Sequence, residues 1–192
     1  MSADALPRTT DRLVLRRFAA GDLAPFQSYR GDSDVGRYQG WSMMDDAVAA
    51  AFIARMAVAL IGVPGEWFQI AVADKSTGVL VGDIGIGLDP NRTGVAEIGF
   101  SMAPSAQRRG MGSEAVRAAL ALLFARADVE IIEGITDARN IPSIRLLERV
   151  GMRLDRTQET PFKGAMCAEH VFSLTRGQWL NRLATPDSND PR

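Results

Sequence analysis

The sequence predicts an α/β fold built on a mixed, mostly antiparallel β-sheet. Three apolar strands follow one another at residues 67–73, 79–88 and 95–102, and short turns connect them. Such connections are typical of an antiparallel meander. The third strand leads into a long apolar helix and then into a strand at residues 130–136. A strand–helix–strand unit forms a right-handed crossover, so its two strands are expected to pair in parallel.

Length and composition are those of an ordinary globular protein. The 192 residues are 46% apolar and 23% charged, which is enough for one buried core. We expect a single domain over residues 1–183. Residues 184–192 (ATPDSNDPR) are too polar and Pro-rich to bury, so a mobile tail is expected there.

Charge and cysteine content argue against several partners. The net charge of −1 offers no basic field for nucleic acid or an anionic membrane. No apolar run approaches the roughly 20 residues of a membrane helix, and the N-terminus lacks the apolar core of a signal peptide. Cys167 is the only cysteine, so no internal disulfide can form, which fits a reducing cytoplasm. A cytoplasmic location is therefore expected.

Periodicity predicts the elements of the N-terminal half. Residues 12–18 alternate as a first strand, and residues 22–30 form a short helix. Ser42 is expected to cap the next helix, with Asp45 three residues on as its capping-box partner. That helix is expected to run to about Leu60.

The C-terminal half follows from the same signals. The helix after Gly112 is apolar almost all round, which predicts that it is buried. A short helix opens at Asn140, has Pro142 in its first turn and ends at Gly151. Two strands at residues 153–158 and 166–174 and a last helix at residues 176–183 complete the chain.

The turn between the third strand and the long helix reads Q-R-R-G-M-G, from Gln107 to Gly112. Glycines let a backbone come close to a ligand. The first turn of a helix offers unpaired N–H groups and the positive end of a dipole. The pattern predicts a cradle for phosphate oxygens, with Arg108 and Arg109 as charged neighbours.

A second glycine pattern carries no such site. Gly82, Gly85 and Gly87 superficially match a dinucleotide fingerprint. A helix should follow that fingerprint, whereas a turn and a strand follow here. Glycines inside a strand more often indicate a bulge or a close approach.

The Q-R-R-G-M-G turn resembles the acetyl-CoA signature Q/R-x-x-G-x-G/A of the GCN5-related N-acetyltransferase (GNAT) superfamily. The stretch DARNIPSIRLLERVGM resembles its second signature, with Met152 in place of the usual Phe. R-L-V-L-R, R-Y-Q-G-W, V-G-D-I-G and H-V-F-S-L-T-R-G-Q-W resemble the RimJ/RimL-type branch, some of whose members act on N-termini of ribosomal proteins. The resemblance covers roughly residues 8 to 180.

The resemblance implies a GNAT fold, with helices on both faces of a sheet that is splayed open in a V. It implies acetyl-CoA as cosubstrate and no metal. Leu147 stands where many members carry a tyrosine that protonates the thiolate, and Ser143 is the nearby substitute. The cofactor-binding residues that the resemblance implies are Phe100, Ser101, Met102, Gln107, Arg108, Arg109, Gly110, Met111, Gly112, Ser113, Asn140 and Ser143.

Candidate catalytic residues each have a structural alternative. Glu97 either faces the acceptor cleft and relays a proton or is a solvent-facing strand residue. Glu159 follows a strand near where the branch sometimes carries a carboxylate base. Ser143 either donates to the leaving sulfur or only caps its helix. His170, the sole histidine, fits a packed position better than a catalytic one.

Three aromatic residues are candidates for the acceptor site. Tyr38, Trp41 and Trp67 either line it or pack in the core. We expect transfer of acetyl to a primary amine, the N-terminal α-amine of a protein or peptide. A small-molecule amine, such as an antibiotic or polyamine, and a catalytically silent CoA-binding module remain alternatives. The branch makes a homodimer an open possibility.

Overall fold

The computed structural model describes residues 6–41 and 43–184. Within them lie the strands β1 (Arg8–Thr9), β2 (Leu13–Arg16), β3 (Trp67–Asp74), β4 (Leu80–Leu88), β5 (Val95–Met102), β6 (Ile131–Asp137), β7 (Arg153–Phe162) and β8 (Ala165–Thr175). The helices are α1 (Leu23–Arg30), α2 (Ser33–Gly36), α3 (Asp46–Val58), α4 (Met111–Phe124), α5 (Ile141–Arg149) and α6 (Arg176–Ala184). Single 3-10 turns lie at Ala20–Asp22 and Pro104–Ala106.

The strands form one mixed sheet in the order β1-β2-β3-β4-β5-β6-β8-β7. β5 and β6 run parallel, as the strand–helix–strand unit predicts, and the other neighbouring strands are antiparallel. The mixed sheet expected from the sequence is therefore confirmed.

The sheet opens between its two parallel strands. β5 and β6 pair at three positions only, and the last pair is Glu97 with Glu133. Beyond that pair, β5 stays bonded to β4 as far as Met102, and β6 stays bonded to β8 as far as Asp137. The two halves of the sheet thus diverge in a V, with Glu97 and Glu133 at its vertex.

Helices cover both faces of this sheet. On one face, the Tyr29 hydroxyl of α1 donates a hydrogen bond to the carboxylate of Asp83 in β4. On the other face, α5 packs on β6: a Cβ on Gly134 would lie 2.8 Å from Leu147 Cδ2. α4 lies on that second face too, because a Cβ on Gly112 would lie 3.6 Å from Met102 Cγ.

The long helix α4 is buried as predicted. Its buried residues include Val116, Leu120 and Phe124, and the ring of Phe124 stacks on Trp179 of α6 at 5.7 Å between centroids. Arg176 closes its far end by donating to the carbonyl oxygen of Phe124 at 2.7 Å. The element that carries the predicted cradle is therefore fixed in the core.

The predicted start of α3 was wrong in its detail. Asp45 itself is the N-cap residue, and its carboxylate accepts a hydrogen bond from the Val48 N–H at 2.8 Å. A carboxylate caps as well as a hydroxyl does, so the helix begins one turn later than a Ser42 cap requires. Ser42 lies outside the described residues, and the helix ends at Val58 rather than at Leu60.

The C-terminal elements agree with the sequence except in length. α5 begins after Asn140 and is followed by Gly151 at a φ of +96°, a backbone conformation that favours glycine. β7 and β8 extend beyond their predicted ends to form a long hairpin that turns at Lys163 and Gly164. The predicted tail begins at Ala184, the last residue of α6, and residues 185–192 lie outside the described residues. No helix within the described part of the chain is long and apolar enough to span a membrane.

Candidate functional site

The N-terminus of α4 carries backbone donors without intrahelical partners. Gly110 is its N-cap residue, with a φ of +76°, and no side chain among the described residues caps it. The first helical hydrogen bond joins the Glu114 N–H to the Gly110 carbonyl at 3.1 Å. The N–H groups of the three preceding residues are therefore available to an anion, and the helix dipole favours one there.

The turn before α4 is held by its own side chains. The Gln107 Nε2 donates to the Met102 carbonyl at 2.9 Å, which ties the turn to the end of β5. Arg108 has a φ of +57°, and the Arg109 guanidinium donates to the Ser105 carbonyl at 3.2 Å. Both arginine side chains are exposed, so they can contribute charge beside the turn.

The first turn of α4 contains two small residues, Gly112 and Ser113, with different surroundings. A Cβ on Gly112 would lie 2.9 Å from Leu146 Cδ1, so this glycine lets α4 pack closely on α5. A bulky residue at position 112 would disturb that packing as well as any ligand. The Ser113 hydroxyl is buried and has no hydrogen-bond partner among the described residues. An uncapped helix start with free first-turn N–H groups fits the diphosphate of a coenzyme.

The C-terminal half of β5 lines the opening of the V. Phe100 is half-buried, whereas Ser101 and Met102 are buried. The Phe100 carbonyl accepts a hydrogen bond from the Gln39 side chain at 3.4 Å. Because β6 has left β5 at this level, the β5 backbone between Ile98 and Met102 borders the gap on the side that β6 would otherwise cover.

The start of α5 lies on the same face as α4. The Asn140 Oδ1 accepts a hydrogen bond from the Ser143 N–H at 3.3 Å, so Asn140 is the capping residue. The alternative that Ser143 caps the helix is wrong, because its backbone amide receives the cap and its hydroxyl has no partner within the described residues. Leu147 is 1% exposed against Gly134, so it belongs to the core.

Glu97 lies at the vertex of the V, on the face that carries α1. It pairs with Gly87 in β4 and with Glu133 in β6. Burial, and then the charges of Glu133 and Glu169, raise the pKa of the Glu97 carboxyl above its ordinary value. Among the described residues no cation forms an ion pair with Glu97. A raised pKa makes this carboxylate a stronger proton acceptor than an ordinary glutamate.

The pKa of the neighbouring Glu133 is shifted in the opposite direction from that of Glu97. It is 5% exposed, and Arg92 binds its carboxylate with two hydrogen bonds of 2.9 and 2.8 Å. Arg156 adds a third contact at 3.2 Å. Hydrogen bonding to Arg92 outweighs burial and lowers the pKa of Glu133, so this carboxyl stays ionised beside Glu97.

Comparison with known proteins identifies this arrangement. A family model described as the acetyltransferase (GNAT) domain matches residues 12–153. The chain belongs to the GNAT acetyltransferase family. It is 30% identical over 173 residues to YnaD of Bacillus subtilis and 25% identical to p20 of Bacillus licheniformis, both named as uncharacterized N-acetyltransferases. Those alignments cover 89% and 88% of this chain and 98% and 96% of the relatives.

Solved structures show the same GNAT fold. An acetyltransferase from Bacillus anthracis has a TM-score of 0.78 at 23% identity and covers 90% of this chain and 99% of its own. A candidate ribosomal-protein-serine acetyltransferase from Vibrio cholerae has a TM-score of 0.75 at 26% identity, covering 91% and 99%. A spermidine N-acetyltransferase from Vibrio cholerae, solved with CoA and spermine, has a TM-score of 0.73 at 17% identity, covering 90% and 100%. The chain is thus an acyltransferase of the GNAT type.

Glu159 is not brought together with Glu97 in this GNAT domain. It is exposed and pairs with Ala168, in register with the pair of Thr157 and His170. These positions lie on the face that carries α4 and α5, opposite to Glu97. The His170 Nδ1 is hydrogen-bonded to the Thr157 hydroxyl at 2.9 Å, and its ring lies edge-on to Phe172, which suits the packed position expected from the sequence.

The aromatic acceptor candidates occupy three different environments. The Trp41 ring stacks on the Arg30 guanidinium at 4.5 Å, and Arg30 in turn pairs with the buried Asp83. Tyr38 is half-buried and, after Asp137, contributes to raising the pKa of Arg139 near the end of β6.

Trp67 lies on the same face of the sheet as Glu97, and both are neighbours of Gly87. A Cβ on Gly87 would lie 3.4 Å from the indole of Trp67, and Gly87 is also the cross-strand partner of Glu97. The missing side chain at Gly87 lets the indole lie across the strand on the Glu97 face. The strand glycines thus indicate a close approach, as the sequence predicts.

Several groups around the GNAT site have no local signal in the sequence. The Lys163 ammonium, at the tip of the β7–β8 hairpin, donates to the carbonyls of Gly36 and Arg37 at 2.8 and 3.3 Å and joins the hairpin to α2. Arg92 and Glu133 are 41 residues apart in sequence. Only the register of the sheet brings such residues together. No cluster of potential metal ligands is present among the described residues.

Proposed function

We propose that this enzyme transfers acetyl from acetyl-CoA to the α-amine at the N-terminus of a protein or peptide, as in the RimJ/RimL-type branch. The observation that carries the proposal is Glu97, a half-buried carboxylate at the vertex of the V that forms no ion pair with any residue the structure describes. It lies across the sheet from the uncapped start of α4, so that a proton acceptor and a diphosphate cradle occupy opposite faces.

Each residue then has a defined task. The first-turn N–H groups of α4 hold the diphosphate, with Arg108 and Arg109 beside them. Bound acetyl-CoA supplies the thioester carbonyl that the amine attacks. Glu97 accepts a proton from the amine, directly or through one water. The Ser143 hydroxyl, which has no partner of its own within the described residues, donates toward the sulfur as negative charge develops there.

Protonation favours an α-amine over a lysine side chain. Only a neutral amine is a nucleophile, and the pKa of an α-amine is about 8 against about 10.4 for lysine. At pH 7 deprotonation therefore costs about 1.4 kcal/mol for the first and about 4.6 kcal/mol for the second. A single glutamate base suits the first acceptor better.

The charges near the site argue against a polycationic acceptor. Arg92 and Arg156 neutralise Glu133, and Arg139 pairs with Asp137 at 2.6 Å. Four acidic residues of the N-terminal half have partners as well: Asp32 and Asp45 cap helices, Asp34 pairs with Arg37, and Asp46 accepts a hydrogen bond from Gln27. A polycation such as spermidine would have to compete with these contacts. The likeness to the candidate ribosomal-protein-serine acetyltransferase supports the same preference.

The test compares matched acceptors with the purified protein and acetyl-CoA. One peptide has a free N-terminal serine and no lysine; a second has the same sequence with a blocked N-terminus and one internal lysine; spermidine is the third. Thiol release and mass spectrometry report transfer. We expect acetylation of the first peptide alone. Faster transfer to spermidine or to the internal lysine contradicts the proposal, and CoA binding without thiol release from any acceptor favours a silent binding module.

A further inference from the structure

The turn between β1 and β2, at residues 10–12, contacts the turn before α4, although the two are far apart in sequence. The Arg12 Nη1 donates to the Arg109 carbonyl at 2.7 Å, and the Arg12 Nε donates to Glu114 Oε2 at 2.7 Å. The Arg12 backbone N–H donates to Glu114 Oε1 at 2.8 Å, and the Thr10 hydroxyl donates to the same oxygen at 2.6 Å. One arginine therefore bonds to the turn and to the first turn of the helix together.

The segment that Arg12 holds has an unusual backbone. Arg108 and Gly110 both have positive φ, at +57° and +76°. A residue other than glycine seldom adopts this conformation, and it persists where the surroundings determine it. The Arg109 carbonyl lies between these two residues, and Arg12 is the side chain that bonds to it.

Charge gives Arg12 a second role. Glu114 places a carboxylate in the first turn of α4, close to where an anionic ligand is expected. Burial would raise the pKa of Glu114, but the hydrogen bonds from Thr10 and Arg12 outweigh it and lower the pKa, so the carboxyl is ionised. Its charge would repel a diphosphate unless Arg12 compensated it.

We propose that Arg12 is a positioning residue for the diphosphate-binding turn: it fixes the Arg109 carbonyl and neutralises Glu114, so that the first-turn N–H groups of α4 face an anion. This inference rests on the proposed acetyl-CoA site and extends that site to the turn between β1 and β2. Arg12 need not touch the ligand itself.

The test uses a matched pair of arginine variants. Arg8, in the neighbouring strand β1, is exposed and lies outside the turn before α4. Arg8→Ala therefore makes the same charge change without removing the contacts of Arg12 with the Arg109 carbonyl and Glu114. Calorimetry measures the Kd of CoA for the wild type, Arg12→Ala and Arg8→Ala. We expect Arg12→Ala to weaken CoA binding about tenfold or more, as loss of hydrogen bonds to a charged group implies, and Arg8→Ala to leave it unchanged.

Two further measurements separate positioning from general damage. Binding of S-acetyl-pantetheine, which has the thioester arm but no diphosphate, should be equal in Arg12→Ala and wild type. At saturating acetyl-CoA, kcat of Arg12→Ala should stay within about twofold of the wild type, since the contacts of Arg12 act on CoA binding. If Arg12→Ala does not fold, Arg12→Lys against Arg8→Lys serves instead: lysine keeps the charge but cannot form the two-point contact, so CoA should bind several-fold more weakly.

Equal CoA affinity in the Arg12 and Arg8 variants overturns the inference. Equal loss of affinity for CoA and for S-acetyl-pantetheine overturns it too, because the effect would then not lie at the diphosphate. Failure of the wild type to bind CoA refutes the proposed cofactor site instead, and the two failures are thus distinguishable.

Discussion

Glu97 combines features that stability alone would not select. Its carboxyl is half-buried, its neighbours Glu133 and Glu169 are both acidic, and among the described residues no cation pairs with it. Burial and like charges both disfavour the ionised form. The same carboxyl is therefore a candidate base and a source of instability at neutral pH.

Replacing Glu97 by glutamine should separate these two effects. We expect Glu97→Gln to lower kcat by about 100-fold, the lower end for a general base, because an α-amine needs little help. In the wild type, activity should fall with pH in two steps, one from protonation of the acceptor amine and one as the pH drops through the raised pKa of Glu97. Only the Glu97 step should disappear in the variant. An unchanged pH–rate profile would exclude Glu97 as the base.

The same variant should be more stable than the wild type at pH 7. A carboxyl with a raised pKa in the folded state causes no penalty below its ordinary value of 4.5, where it is protonated in both states. The penalty develops as the pH rises through the folded-state pKa. The Tm of Glu97→Gln should therefore exceed that of the wild type at pH 7, and the difference should vanish near pH 4.

At the scale of elements, the start of α5 separates capping from chemistry. Asn140 supplies the cap, and Ser143 is the residue whose N–H is capped. Pro142, in the first turn, has no N–H to satisfy. The Ser143 hydroxyl is thus not needed to begin the helix, although it lies on the face where α4 begins.

A pair of variants tests this division. We expect Ser143→Ala to lower kcat by roughly 10²–10⁴-fold, the usual range for a positioned proton donor, with CoA affinity and Tm nearly unchanged. Asn140→Ala should instead lower the free energy of unfolding by about 1 kcal/mol, as loss of an N-cap does. A lower Tm with unchanged kcat in Ser143→Ala would make that serine structural.

At the scale of the whole molecule, pairs of arginine and carboxylate join separate elements. Arg92, after β4, and Arg156, on β7, both bind Glu133 on β6. Arg30 of α1 binds Asp83 of β4, and Tyr29 shares that carboxylate. These contacts connect the two halves of the V to the segments around them, so two carboxylates each join several elements.

The contribution of Glu133 to the free energy of unfolding should fall at acidic pH. Glu133 has a lowered pKa in the folded state, so its contribution is present above the ordinary value of 4.5 and is lost as the pH falls through the folded-state pKa. Glu133→Gln should lower the free energy of unfolding by about 1–2 kcal/mol at pH 7 and by little at pH 3. Denaturant unfolding at both pH values measures this. An equal loss at both would show that the charge of Glu133 is irrelevant.

Local sequence signals predicted most helices and strands. The errors concerned where individual elements begin and end. The apolar periodicity of α4 and the glycine after α5 identified those helices because both signals lie within one element. The start of α3 was misplaced because Ser42 and Asp45 are both good caps, and sequence alone does not rank them. The hairpin of β7 and β8 was longer than predicted because none of the residues 159–162 is buried and they mix polar and apolar types, so no clear alternation indicates where it ends.

The sequence by itself determined the mixed sheet, the order of its strand–helix–strand unit and the turn from Gln107 to Gly112. These features follow from signals inside single elements and their connecting turns, where backbone geometry and apolar periodicity act directly. Only the tertiary structure decided that Glu97 pairs with no cation in the described part of the chain while Glu133 has two, that Glu159 lies on the opposite face, and that Arg12 contacts Glu114 across 102 positions. Such contacts depend on strand register and packing, which bring distant side chains within a few ångströms and leave no periodic trace in the chain.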